Sequence, residues 1–221
     1  MEPDYDAIVF DNDGVLIELT DHAILAGAVH DTFAEFDVTV DDETVRAMVA
    51  RDERPDQTFE DEYGIDPEQF WRRREANAAA VQRAAIRAGE KALYDDIDVL
   101  ADFEQSLGVV SNNQHETITF ILDYHDLGHH FETAYGRVPT LAGANRKKPD
   151  PSYIKQALED LDTRNALYVG DSEKDVVAAN RAGIDSAFLR REHRADLTPS
   201  VEPTYEFTDL NAMAKQFTGS Q

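Results

Sequence analysis

The stretch VFDNDGVL, residues 9 to 16, places two aspartates, Asp11 and Asp13, directly after a run of apolar residues. Four apolar residues in a row, from Ala7 to Phe10, are typical of a strand that is buried on both faces of a parallel sheet. Side chains two positions apart on an extended segment point the same way, so both carboxylates can face one site. Gly14 then permits a turn that a bulkier residue would restrict. The stretch predicts a buried strand that ends either in a carboxylate site or in an ordinary polar Asp-Gly turn.

The pattern of apolar residues changes after this first strand. From about residue 17 to residue 95, apolar residues recur at spacings of three and four, which is typical of amphipathic helices. Asp66 and Pro67 suit the start of the longest of these helices, as its N-cap and its first helical residue. We therefore expect a helical insert over residues 17–95.

Beyond residue 95, strand patterns alternate with helix patterns. The strand patterns are LGVVS, HFETAYG, NALYVG and DSAFLR, and most are separated by amphipathic segments. This alternation predicts an α/β fold, with a parallel sheet covered by helices on both faces. We expect a Rossmann-like core formed by residues 1–16 and 96–221, with ligands bound beyond the carboxyl ends of its strands.

A hydroxyl and two amides follow the second predicted strand of this core. In GVVSNN, Ser111 ends the strand, and Asn112 and Asn113 stand at the expected start of a helix. A hydroxyl and the free backbone N–H groups of a helix N-terminus suit an anion. The alternative is a plain helix N-cap without a ligand.

A lysine stands in the loop before another predicted helix. In RKKPDP, Lys148 precedes Pro149 in a chain that uses lysine sparingly. Its ammonium could neutralise a phosphate and a neighbouring carboxylate, and the alternative is a solvated surface charge.

A second acid pair follows the strand NALYVG. Asp171 comes directly after the strand and Asp175 stands four residues later. On a helix this spacing would stack the two carboxylates on one face, and Gly170 and Ser172 leave room for a close approach. The alternative is an N-cap followed by an exposed acid.

The segments DNDG, VVSNN, KKPDP and GDSEKD, in this order, resemble the motifs of the haloacid dehalogenase superfamily. The chain looks most like the branch of phosphoglycolate phosphatases and β-phosphoglucomutases, whose helical cap is inserted after the first strand. The resemblance covers essentially the whole chain and implies a Mg²⁺-dependent phosphatase acting on a small phosphorylated metabolite. The alternatives are a sugar phosphomutase and a non-catalytic binding protein on the same fold.

The resemblance also implies roles for the acidic residues. Asp11 would attack the phosphoryl group and form an aspartyl-phosphate, and Asp13 would act as general acid and then as general base. The Mg²⁺ ligands would be the Asp11 carboxylate, the Asp13 main-chain carbonyl and Asp171. Asp175 would bind the metal through water or pair with Lys148. An acid at Asp13 argues against the dehalogenases of the superfamily, which lack one at that place.

The remaining implied roles concern the phosphate and the insert. Ser111 and the N–H of Asn112 would hold the transferring oxygens, Lys148 would offset their charge, and Gly14 would stand just behind the site. The insert would close over the substrate and exclude water. Its run Arg72 to Arg74 would either meet a second anionic group of the substrate or form a solvated basic face that pairs with nearby acids.

The composition limits the environment and the partners. The chain has 45 acidic and 21 basic residues, a net charge of −24, which argues against nucleic acid as a partner. It has no cysteine, no apolar run long enough for a membrane helix and no signal-peptide pattern at its start, so we expect a cytoplasmic protein without membrane partners. The sequence does not predict an oligomeric state.

The acidic residues are scattered along the whole chain, which is typical of a surface adapted to high salt. At about 1 M salt the Debye length falls to roughly 3 Å, so the self-repulsion of such a surface is screened. We therefore expect the melting temperature to rise between low and molar KCl in a calorimetric scan. A melting temperature that is flat or falls over this range would contradict adaptation to a halophilic cytosol.

Overall fold

A six-stranded parallel sheet forms the centre of the structure, a computed structural model that describes residues 4–218. The order of the strands is β3-β2-β1-β4-β5-β6, and each neighbouring pair is parallel. Phe10 at the end of β1 lies opposite Val109 on one side and Val169 on the other. The strands are β1 (Ala7–Phe10), β2 (Ser106–Gln114), β3 (Thr133–Arg137), β4 (Ala166–Gly170), β5 (Asp185–Leu189) and β6 (Tyr205–Phe207).

Helices connect these strands and form the insert. Short 3₁₀ helices span Ile97–Asp102, Gly128–His130 and Glu192–Arg194. The α-helices within residues 4–218 are α1 (His22–Ala34), α2 (Asp42–Ala50), α3 (Phe59–Tyr63), α4 (Pro67–Ala88), α5 (His115–Tyr124), α6 (Leu141–Ala144), α7 (Ser152–Asp160), α8 (Glu173–Ala182) and α9 (Leu210–Phe217).

Both faces of the sheet are buried. Ile8 and Phe10 of β1 pack on one face in a cluster that includes residues of α5 and α9. Ala7 and Val9 point to the other face, where they pack with residues of α7 and α8. Because side chains alternate along a strand, the four consecutive apolar residues of β1 serve both layers. The predicted Rossmann-like α/β fold is confirmed.

The residues fall into two compact units. Among residues 4–218, the first comprises residues 4–18, Ala92–Arg137 and residues 146–218, and the second comprises Leu19–Lys91 and Val138–Asn145. The chain leaves and re-enters the first unit through neighbouring backbone, because Glu18 N–H donates to Ala92 at 2.9 Å and Tyr94 N–H donates to Leu16 at 3.2 Å.

The second unit has its own aromatic core. The ring of Phe33 lies 4.5 Å from that of Phe70, measured between centroids, and Phe59 packs against both. The run of three arginines on α4 pairs with acids: Arg72 with Glu68, Arg73 with Glu35 and Arg74 with Glu75. Arg74 and Glu75 are buried, so only part of the run forms the solvated basic face that was one of the two predictions.

The predicted domain limits differ from these units at both junctions and at one further segment. Residues 17–18 and 92–95 are predicted as part of the insert, but they belong to the first unit. Residues 138–145 were assigned to the core, but Val138–Asn145 belongs to the second unit. The Leu141 N–H donates to the Glu68 carboxylate at 3.2 Å, and Arg54 donates to Asn145 at 2.7 Å. These contacts connect residues far apart in sequence, so local patterns did not reveal them. The function of the second unit as a cap stays a prediction.

Three further elements differ from the prediction. β2 continues through Gln114, with an irregular register against β3, so α5 begins only at His115. Residues 111–113 therefore lie on a strand, and the predicted helix start at this position is wrong. The segment DVLADFEQS, residues 98–106, has a helix-like pattern, but only a short 3₁₀ helix forms there, and the three-residue strand β6 was not predicted. Within residues 4–218, no helix combines the length and the apolar character needed to cross a membrane.

Candidate active site

Three buried aspartates come together beyond the carboxyl ends of β1 and β4. Asp11 directly follows β1, Asp171 follows β4, and Asp175 lies in the first turn of α8. One ligand atom from each of the three lies within 4.8 Å of the others. Because β1 and β4 are parallel neighbours, their ends meet at the same edge of the sheet. Three carboxylates in this arrangement offer hard oxygen donors to one cation.

A capping box at the start of α8 orients Asp175. Its Oδ2 accepts from the backbone N–H of Ser172 at 3.0 Å and from the Ser172 hydroxyl at 2.6 Å. The two carboxylates come together, although not from one helix, because Ser172 is the N-cap of α8 and Asp171 precedes it. The alternative of an N-cap at Asp171 and an exposed Asp175 is wrong, since Asp175 is buried. Gly170 allows the close approach, since a Cβ at Gly170 would overlap the Asp175 side chain.

Lys148 places its ammonium inside this group of acids. Its Nζ lies 2.9 Å from Asp11 Oδ1 and 2.7 Å from Asp175 Oδ1. It also donates to the Tyr168 hydroxyl at 2.7 Å and contacts the Val110 carbonyl at 3.3 Å. Burial opposes the charged form, but the two carboxylates outweigh it and hold the pKa of Lys148 well above its usual range. The alternative of a solvated surface lysine is wrong, since the residue is buried.

Burial makes Asp11 a weaker acid than an exposed aspartate. Burial, together with the negative charges of Asp175 and Asp171, raises the pKa of Asp11 to about 8 against the opposing charge of Lys148. One ammonium is therefore too little positive charge for this group of carboxylates. A bound cation would favour the ionised form of Asp11.

Asp13 is oriented by two side-chain amides. Its Oδ2 accepts from Asn113 Nδ2 at 3.0 Å and from Asn12 Nδ2 at 3.2 Å. The carboxylate is only half-buried. The sequence pattern places Asn113 only at an expected helix start. Its contact with Asp13 crosses from β2 to the end of β1, which local sequence patterns do not reveal.

Ser111 and Asn112 lie on the extension of β2. The Ser111 hydroxyl accepts from the Asn113 N–H at 3.2 Å. The side chain of Asn112 holds the loop of Lys148, because its Oδ1 accepts from the Lys148 N–H at 2.7 Å and its Nδ2 donates to the Lys148 carbonyl at 3.2 Å. The Asn112 side chain is thus a support for the loop of Lys148.

Two residues that were not predicted from the sequence contact Asp171. Its Oδ2 accepts from His193 Nε2 at 2.7 Å and from Arg194 Nε at 3.0 Å. Both residues lie in the 3₁₀ helix that follows β5. The rule that sites gather beyond strand ends applies equally to REHR, residues 191–194, after the predicted strand DSAFLR, and could have identified them.

With this geometry in place, comparison with known proteins identifies the family. The model of the haloacid dehalogenase-like hydrolases matches residues 8–189. The chain belongs to this family. The resemblance inferred from the four motifs is therefore confirmed.

Named relatives in this family include phosphatases. The chain is 30% identical to the pyrophosphatase PpaX of Anoxybacillus flavithermus over 202 residues, covering 87% of this chain and 89% of the relative. It is 29% identical to the phosphoglycolate phosphatase of Vibrio cholerae over 110 residues, which cover 48% of this chain and 47% of the relative. The chain likewise spans about half the length of other curated relatives that it matches.

Solved structures share the fold. The structure of CbbY from Rhodobacter sphaeroides in complex with phosphate superposes with a TM-score of 0.65 at 22% identity. The match covers 96% of each chain.

Gly14, the last residue of the DNDG motif, lies against the Asp171 side chain, and its substitution tests the site. Its φ is +82°, and a Cβ there would lie 2.5 Å from Asp171 Oδ2. Gly183 has nearly the same φ, +83°, but a Cβ there would meet nothing within 4 Å. We expect Gly14→Ala and Gly183→Ala each to lose about 1–2 kcal/mol of unfolding free energy to backbone strain. Only Gly14→Ala should also weaken Mg²⁺ binding, measured by titration calorimetry. Equal Mg²⁺ affinities in the two variants would contradict the crowding argument.

Proposed function

We propose that the protein is a Mg²⁺-dependent phosphatase that hydrolyses a small phosphorylated metabolite through an aspartyl-phosphate on Asp11. The observation that carries the proposal is the buried Asp11 carboxylate, 2.9 Å from the Lys148 ammonium and grouped with Asp171 and Asp175. The phosphatase names of the relatives support the same reaction.

The donor set fits Mg²⁺. Magnesium prefers hard oxygen ligands and commonly takes one or two carboxylates together with substrate phosphate and water. Asp11 and Asp171 would hold the ion, with the Asp13 carbonyl as the further predicted ligand and Asp175 close by. When bound, the ion supplies positive charge that offsets the repulsion between the carboxylates and a phosphate dianion. The raised pKa of Asp11 supports this need for a cation, since the nucleophile must be ionised.

The reaction has two steps on the protein side. An Asp11 carboxylate oxygen attacks phosphorus and forms an acyl-phosphate bond, while the bond from phosphorus to the substrate oxygen breaks. Asp13 gives its proton to that leaving oxygen. Asp13 then takes a proton from a water molecule, whose oxygen attacks the same phosphorus, and Asp11 is released with inorganic phosphate. The amides of Asn113 and Asn12 support this role by holding the Asp13 carboxylate in place.

Two groups would hold the transferring phosphate, and a third would offset charge beside it. The Ser111 hydroxyl and the backbone N–H of Asn112 can donate to its oxygens, and the Lys148 ammonium offsets charge at the nucleophile. The Asn112 side chain bonds both the N–H and the carbonyl of Lys148, which fixes the position of Lys148 relative to the backbone of Asn112. Fixed donors matter, because they need no reorganisation as charge develops in the transition state.

The names of the relatives support a substrate class. Pyrophosphate and phosphoglycolate, taken from the names of the relatives in Anoxybacillus flavithermus and Vibrio cholerae, each carry a second anionic group close to a phosphoryl group. We propose that the substrate of this chain shares that feature.

Substitution of the two aspartates tests the covalent route. We expect Asp11→Asn to lower kcat for p-nitrophenyl phosphate by roughly 10³-fold or more, because the amide cannot attack phosphorus. Asp13→Asn should also stop turnover, but after the first step, because p-nitrophenolate leaves without a proton whereas the water of the second step needs a base.

Intact-protein mass spectrometry separates the two variants. Asp13→Asn should gain the mass of one phosphoryl group on exposure to substrate, and Asp11→Asn should not. Asp123→Asn is the matched control, since Asp123 is exposed on α5. Retained turnover in Asp11→Asn would rule out the aspartyl-phosphate.

Metal removal tests the cofactor. A chelator should abolish hydrolysis, and added Mg²⁺ should restore it. Mg²⁺ at about 100 times its dissociation constant should also raise the unfolding free energy by about 2.7 kcal/mol, because it binds the folded chain. Asp171→Asn should lose this stabilisation and Asp123→Asn should keep it. Full activity in excess chelator would overturn the metal dependence.

A further inference from the structure

Arg194 is fixed beside the candidate active site by its own Nε atom. This nitrogen donates to the Asp171 Oδ2 atom and to the Asp171 carbonyl, both at 3.0 Å. The carboxylate that holds Arg194 is buried: the Asp171 side chain is 4% exposed, whereas that of Arg194 is 31% exposed. The arginine therefore reaches from the site toward solvent.

The two terminal nitrogens of Arg194 remain available. Among residues 4–218, neither makes a hydrogen bond or an ion pair with the protein. A guanidinium presents its donors in a rigid fork that matches carboxylate and phosphate oxygens. Because Nε is already held, binding an anion on the outer edge of this fork costs little further side-chain entropy.

The neighbouring His193 has no donor left for a substrate. Its Nε2 pairs with Asp171 at 2.7 Å, and its Nδ1 lies 3.4 Å from the Tyr94 hydroxyl. His193 is thus a positioning residue for Asp171. Arg194 is the member of this pair that can contact a ligand.

The segment that carries Arg194 is held on two sides. Arg191 forms a buried bidentate pair with Asp96 at 2.7 and 2.8 Å, and it donates to the Val15 carbonyl at 2.7 Å. Arg190 donates to the carbonyl of Arg194 itself at 3.3 Å. These contacts fix the segment against the residue that follows Gly14, so the position of Arg194 is preorganised.

A ligand with a second anionic group needs a cationic partner in addition to Lys148. Four oxygens surround the ammonium of Lys148 within 3.3 Å, from Asp11, Asp175, Tyr168 and Val110. Since an ammonium has three protons, Lys148 has none to spare for a second anionic group. Arg194 has open donors next to the same carboxylate group.

We propose that Arg194 binds a second anionic group of the substrate, a carboxylate or a phosphate adjacent to the phosphoryl group that is transferred. This inference rests on the proposed phosphatase function and names the residue that selects its substrate class. Arg194 would act mainly on substrate binding, because its fork is complementary to the anion in the ground state as well as in the transition state.

Three substrates test the proposal, and two of them are nearly equal in size. 2-Phosphoglycolate carries a carboxylate where ethyl phosphate carries a methyl group, and pyrophosphate provides the phosphate form of the second anion. We expect wild-type protein to prefer at least one doubly charged substrate over ethyl phosphate. In Arg194→Gln, KM for the preferred substrate should rise about 10- to 100-fold more than KM for ethyl phosphate, as expected for a lost charge-assisted hydrogen bond.

Arg164→Gln is the matched control. Arg164 is exposed and precedes β4, at the opposite edge of the sheet from the site, so the preference should be unchanged in this variant. The preference for 2-phosphoglycolate or for pyrophosphate tells which anion Arg194 binds.

The outcomes separate this inference from the proposed function. An equal loss on all three substrates in Arg194→Gln, or the absence of a preference in wild-type protein that hydrolyses ethyl phosphate, would overturn the role of Arg194 and leave the phosphatase proposal intact. Failure of wild-type protein to hydrolyse any phosphate with Mg²⁺ present would overturn the phosphatase proposal and this inference with it.

Discussion

The site depends on the balance between three buried carboxylates and the cations that face them. Lys148 connects the end of β1, the middle of β2 and β4, and the first turn of α8 through Asp11, Val110, Tyr168 and Asp175. A buried charge without a partner costs several kcal/mol, so none of these groups can be exchanged alone. Three carboxylates face the single ammonium of Lys148, so negative charge is in excess, which favours the binding of a metal cation.

Much of the architecture was accessible from local sequence. The apolar run of β1, the helical spacing of the insert and the alternation beyond residue 95 each depend on neighbours within one element. Asp11 and Asp171 were found because parallel strands bring their carboxyl ends together, whatever the details of packing, whereas Lys148 was found by its place before a predicted helix in a chain with few lysines. A residue type at a strand end is thus informative before any contact is known.

The features that escaped prediction depend on contacts across long stretches of chain. β2 continues past Ser111 because β3 lies beside it and Arg137 donates to the Asn112 carbonyl at 2.8 Å. Residues 138–145 leave the core because Glu68, some seventy positions away, accepts from their backbone. His193 and Arg194 meet Asp171 across more than twenty residues. No periodicity within one element encodes such pairings.

The way in which the insert is joined to the first unit has an evolutionary consequence. The chain departs at Glu18 and returns at Ala92, and the two backbones are hydrogen-bonded to each other at that point. Because the two ends of the insert are already neighbours, its length and sequence can diverge without altering the distance between β1 and β2. Duplication, shortening or wholesale replacement of these residues would leave Asp11 where it is, so such a scaffold can acquire new specificities while its chemistry is inherited unchanged.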